Sequence, residues 1–110
     1  MPQNLSTGLE RDTGSSALDY EILAEKAQTL GLLGRQLEQS LEQLRRFDAL
    51  TTGENRAEQR ATLLNEAAYR AWAFMVHREL CGVRNWDEAV KDYSIPGDVL
   101  SRMGAFRRPK

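Results

Sequence analysis

His77 and Cys81 stand four residues apart, the spacing that brings two side chains onto one face of a helix. Such a pair could begin a zinc site, but structural zinc takes four ligands and catalytic zinc three. The 110-residue chain holds one His and one Cys, so the set stays incomplete, and Glu79 falls on another face. As a nucleophile Cys81 would need an electropositive setting. The last turn of a helix, at the negative end of its dipole, is a poor one. Cys81 therefore reads as a buried, inert thiol. Carboxylates are plentiful, but Glu38 with Glu42 and Glu88 with Asp92 have the spacing of solvated helix faces. That is not a converging acid–base dyad. The sequence contains neither a glycine-rich phosphate loop nor a G-x-S-x-G elbow. We expect no catalytic residues, no metal and no cofactor: a non-enzymatic protein.

One constellation supports a sharper reading. Ala89, Val90, Tyr93, Ile95, Leu100 and Met103 are spaced like the apolar anchors of a DNA-binding helix-turn-helix. Ser101, Arg102, Arg107 and Arg108 would then be the nucleic-acid contacts. Val90 stands where a small alanine is usual, and Ser94 where the turn glycine is usual. The second helix would also present Asp98 to the phosphates, against a single base, Arg102. The same residues read better as a packing lid, with a small DNA-binding regulator as the alternative.

The elements that would position these residues begin with a leucine seam. Leu23, Leu30, Leu37 and Leu44 recur every seven residues, and Tyr20, Ala27, Gly34 and Leu41 fill the same side. A sustained heptad of this kind implies a supercoil with a partner helix. A helix over residues 17–50 would be about 50 Å long and must lie against another of similar length. Ser15 or Ser16 would cap it, with Asp19 in the first turn. Gly31 and Gly34 each cost about 1 kcal/mol inside a helix. With Ala27 they share a face, so close approach of a neighbouring helix should offset the cost.

Gly53 suits a helix end, and Asn55 with Glu58 forms a capping box for a second helix over 56–81. The short connection makes the two antiparallel. Ala57, Ala61, Leu64, Ala68 and Ala71 give this helix a stripe that fits leucines. Trp72 to Val76 is apolar on nearly every side, which demands burial on more than one. That end should meet the start of the first helix, near Leu18, Ile22 and Leu32. Gly82 stops the second helix. Asn85 and Glu88 then cap a short helix over 85–93, and another follows over 96–103, ended by Gly104. These two should dock on the apolar end through Trp72, Phe74, Met75, Trp86, Ile95 and Leu100.

Composition fits one soluble domain, 41% hydrophobic and 28% charged, with a formal net charge of −1 that recruits neither nucleic acid nor an anionic membrane. Residues 1–16 read as a flexible arm, 17–104 as the helical domain, and 105–110 as a basic tail. No apolar run approaches the roughly 18 residues of a membrane span. The opening residues lack the pattern of a secretory signal. A single cysteine suits a reducing, cytoplasmic compartment.

The run YRAWAFMVHRELCG from Tyr69, continued by WDEAVKDYSIPGDVLSRMG, resembles a family of short bacterial helical proteins of unknown function, over most of the chain after residue 17. The resemblance implies a small cytoplasmic helical protein and assigns no role to any residue. From the residues themselves we expect an all-α fold: a long antiparallel helical hairpin with a short C-terminal two-helix unit. The open part of the seam (Leu23, Leu30, Gly34, Leu37, Leu41 and Leu44) should dimerise two hairpins into a bundle. The role expected is that of a homodimeric scaffold with an unidentified protein partner, and without membrane contact.

Overall fold

The computed structural model describes the backbone of residues 2–107 and the side chains of residues 16–106. Four α-helices follow one another: α1 (Pro2–Leu50), α2 (Arg56–Leu80), α3 (Trp86–Tyr93) and α4 (Gly97–Arg107). No strand occurs among the described residues. At about 1.5 Å per residue, the 49 residues of α1 account for the 75 Å long axis of the molecule. The helix therefore starts at Pro2, well before Ala17. Ser15 and Ser16 lie inside it and cap nothing. Proline is well suited to a first helical position, and no later proline interrupts α1, so the helix propagates through a segment whose composition reads as an arm.

Gly53, at φ 114°, turns the chain at the end of α1, and α2 returns antiparallel. Arg60 meets Asp48, and the Arg70 guanidinium donates to Gln36 Oε1 at 3.0 Å. On that register Leu80, the last residue of α2, falls abreast of α1 residues 26–28. The first half of α1 thus runs on beyond its partner. Leu37, Leu41 and Leu44 are buried against Ala67, Ala68 and Ala71. Ala57 and Ala61, expected in that stripe, are exposed. The stripe enters the core later, with Ala67 supplying a position the sequence reading lacked. Leu18, Ile22 and Leu32 do not meet the end of α2 and are about half exposed, because α2 is too short to reach the first two.

The two short helices close the other side of α2. Asn85 Oδ1 accepts from the Glu88 amide at 3.3 Å, which fixes the start of α3. Asn55 makes no such bond at the start of α2, so that expected capping box does not form. Ser94 ends α3 in the left-handed conformation, at φ 53°, doing there what a glycine does more cheaply. α4 then runs parallel to α2: Asp98 meets Arg60, Arg102 meets Asn65, and Phe106 meets Tyr69. It continues through Gly104 to Arg107 instead of stopping there.

Phe74, Met75 and Ile95 are buried with Ala89, Val99 and Met103, while Trp72, Trp86 and Leu100 pack around them partly buried. Every residue from Trp72 to Val76 is at least half covered, as an all-round apolar stretch requires. Arg60 adds a polar clasp, 2.7 Å from Asp48 on α1 and 3.0 Å from Asp98 on α4. Three helices are tied at one guanidinium.

Candidate interaction surface

Asp19, Leu23, Lys26, Leu30, Leu33, Leu37, Ser40 and Leu44 follow one another at alternating steps of four and three residues, one stripe along α1. The hairpin consumes its second half. Gly34, Leu37, Ser40, Leu41 and Leu44 are buried within the chain, and Leu30 and Leu33 are half-buried. Of the six expected seam residues, only Leu23 faces solvent, 61% exposed. Around it Leu18, Tyr20 and Ile22 are exposed too. All four lie on the α1 extension past the end of α2.

The glycine face divides in the same way. A Cβ on Gly34 would stand 2.6 Å from Tyr93 Oη and 3.3 Å from Phe74 Cε1, so the missing side chain is what lets α3 close on the hairpin. At Gly31 a Cβ would meet only Arg35 Nη1, at 3.6 Å, so the expected close approach there does not occur. Phe74 anchors the contact, with its ring edge-on to Tyr93 at 5.1 Å and to Trp86 at 6.3 Å. Burial first, then the Glu38 charge, pushes the Tyr93 phenol above its ordinary pKa.

Other places that could carry chemistry are less organised. Between α1 and α3 lies an open groove of ≈ 570 Å³, lined by Glu38, Leu41, Glu42, Arg45, Asp92, Tyr93 and Ser94. Glu42 is already paired with Arg45 and Arg46, and the only histidine is not among the lining residues. Nothing in the groove pairs a nucleophile with a base. Cys81 is half-buried, not buried, because it caps α2 at the edge of the fold, just before Gly82 turns the chain away at φ 83°. Among the described residues no group of three or more His, Cys, Asp or Glu side chains converges as metal ligands would.

On α4, Ser101 is exposed, but Arg102 bonds Asn65 and Asp98 bonds Arg60. The Arg107 side chain and Arg108 lie outside the described residues. Sequence reasoning missed Phe106, whose ring lies 5.8 Å from Tyr69 and 6.2 Å from Trp72. It also missed Arg60, because no local pattern announces a contact between residues 38 positions apart.

Comparison with known proteins adds one decisive finding. A family model described as a family of unknown function, DUF6665, matches residues 4–110. The chain belongs to that family. The match takes in the α1 extension as well as the hairpin and the C-terminal helices, and it begins earlier than the resemblance, which covers most of the chain after residue 17. No curated protein and no solved structure matches the chain. Among the described residues of this DUF6665 chain, no helix is long and apolar enough to cross a membrane.

Proposed function

We propose that the protein is a non-enzymatic, self-associating helical scaffold of the cytoplasm, and that the α1 extension is its contact surface. One observation carries this reading: Leu18, Tyr20, Ile22 and Leu23 are all exposed on a stretch of α1 beyond the end of α2. Exposed apolar residues scattered singly need no explanation, but these four fall within six positions and, at about 100° per residue, present apolar groups on more than one side of the helix. A helix gains little from its own propensity and is stabilised mainly by what covers its apolar face. Among the described residues nothing covers this one, so a second chain is the natural source. Two-fold dimers are the commonest solution for soluble proteins. Paired extensions would hold two hairpin units at a fixed separation, which is what a scaffold requires. The single cysteine suits the reducing compartment.

The test is sedimentation velocity of the wild type beside Leu23→Asp. The wild type should sediment as a dimer at tens of micromolar, and the variant as a folded monomer with an unchanged helical spectrum. A dimer that survives the aspartate would move the contact elsewhere. The DNA-binding alternative gains no support from α4, where Asp98 and Arg102 are both engaged with α2.

A further inference from the structure

The exposed apolar residues of the α1 extension do not share one side. Leu18 and Ile22 are four positions apart and stack on one face. Steps of three and four residues continue that face through Glu25 and Thr29 to Leu32, on the part of α1 beside α2. Tyr20 and Leu23 belong elsewhere. At about 100° per residue, Tyr20 lies roughly 160° around the helix from Leu18, and Leu23 roughly 140°. A single helix packed on the seam at Leu23 therefore leaves Leu18, Ile22 and Leu32 uncovered, at 56%, 42% and 47% exposed. They form a second ridge, about 21 Å long at about 1.5 Å per residue.

The charged residues of this ridge are acidic. Glu25 stands in it and Glu21 beside it, a like-charged pair at i and i+4, which is mildly destabilising on a helix. Both are exposed, and neither forms an ion pair with any described residue. The nearest bases are placed differently. Lys26 is partly buried on the seam stripe, and Arg35 lies beyond Leu32.

We propose that this second ridge docks a basic amphipathic helix of another protein. Its apolar stripe packs along Leu18, Ile22 and Leu32, and its lysines or arginines meet Glu21 and Glu25. Charge selects this occupant. A second copy would bring the same two glutamates to the contact, and nucleic acid or an anionic lipid surface would bring further negative charge. A basic helix brings both the apolar stripe and the cations that relieve the Glu21–Glu25 repulsion. The ridge is separate from the seam, so docking does not require self-association, and a dimer would present the ridge twice.

The probe is a fluorescein-labelled peptide of about 15 residues, long enough as a helix to span the ridge. It carries leucines at steps of three and four and lysines elsewhere, and its anisotropy is titrated with the full chain. Two control peptides divide the chemistry: one replaces the leucines by serine, the other the lysines by glutamate. The basic amphipathic peptide should bind at least about tenfold more tightly than either control. Leu18→Gln with Ile22→Gln should weaken it about tenfold or more. Glu21→Gln with Glu25→Gln should weaken it roughly threefold to tenfold at low salt, and much less at about 0.5 M salt. Glutamine is a good helix former, so neither double change should reduce the helical spectrum. Leu23→Asp, on the seam side, should leave binding within about threefold of wild type.

That pattern supports the docking. A glutamate-bearing peptide that binds as tightly, or binding indifferent to the Leu18 and Ile22 changes, overturns it. Binding that Leu23→Asp abolishes would place the peptide on the seam and overturns it too. Self-association is read separately, by sedimentation without peptide, so either reading can fail alone.

Discussion

Gly34→Ala is the substitution whose outcome the packing decides most sharply. On an isolated helix it would stabilise by about 1 kcal/mol, because glycine is a poor helix former. In this fold the new Cβ would lie 2.6 Å from Tyr93 Oη and 3.3 Å from Phe74 Cε1. The Tyr93 ring has only two side-chain torsions and is seated edge-on against Phe74, so the phenol cannot swing aside without unpacking α3. Overpacking of this kind costs roughly 1–3 kcal/mol, which leaves a net destabilisation of about 0–2 kcal/mol after the helical gain. Gly31→Ala is the control. Its Cβ finds only the end of a flexible arginine, at 3.6 Å, and should stabilise by the full ~1 kcal/mol. Urea midpoints at unchanged slope measure both variants. Adding Tyr93→Phe should relieve most of the Gly34→Ala penalty, because it removes the atom in closest conflict. If Gly34→Ala stabilises as much as Gly31→Ala, the described closure of α3 on the hairpin is wrong.

Three further perturbations follow from individual contacts. Leu37 is fully buried, so Leu37→Ala should cost about 2–5 kcal/mol in chemical denaturation; a loss below about 1 kcal/mol would contradict the core as described. Asn85→Ala should cost about 1 kcal/mol because its side chain caps α3, while Asn55→Ala, which loses no cap bond, should change stability by only a few tenths. The Arg60 hydrogen bond, aided by Arg56, holds the Asp48 carboxyl below its ordinary value of 3.8. Ionised Asp48 therefore stabilises the fold fully above that pH, and the contribution fades as acid protonates the group. The melting-temperature gap between wild type and Asp48→Asn should be present at pH 6 and narrow as the pH falls below 3.8; a gap independent of pH would refute the assignment.

The hairpin and its C-terminal unit were legible because their signals are local and repeated. From Leu30 onward the heptad leucines mark the half of α1 that α2 covers, and the all-round apolar run at Trp72 to Val76 marks the end that α3 and α4 close. The start of α1 was not legible. Gly, Ser, Thr and Asn between residues 1 and 16 read as an arm, since propensity alone does not show that a helix propagates through them. The end of α4 failed for a related reason: one glycine, Gly104, costs about 1 kcal/mol and does not by itself stop a helix.

Capping was only half legible. The two Asn-x-x-Glu signatures look alike, yet the Asn85 side chain bonds the amide three residues on and Asn55 does not. The parallel course of α4 along α2, and the clasp of Arg60 on two helices, are tertiary facts that no spacing encodes. Of the candidate surface, the seam was legible, but not the point where the hairpin stops using it. That point depends on the length of α2 and on the register set by the Asp48–Arg60 and Gln36–Arg70 contacts.

The central claim is that the exposed α1 extension is covered by a second chain. Light scattering across about 1–100 µM in moderate salt, a range wide enough to populate a weak dimer, tests it most directly. The account predicts a mass rising with concentration toward twice the 12.5 kDa of one chain. A mass that stays at 12.5 kDa throughout would contradict it.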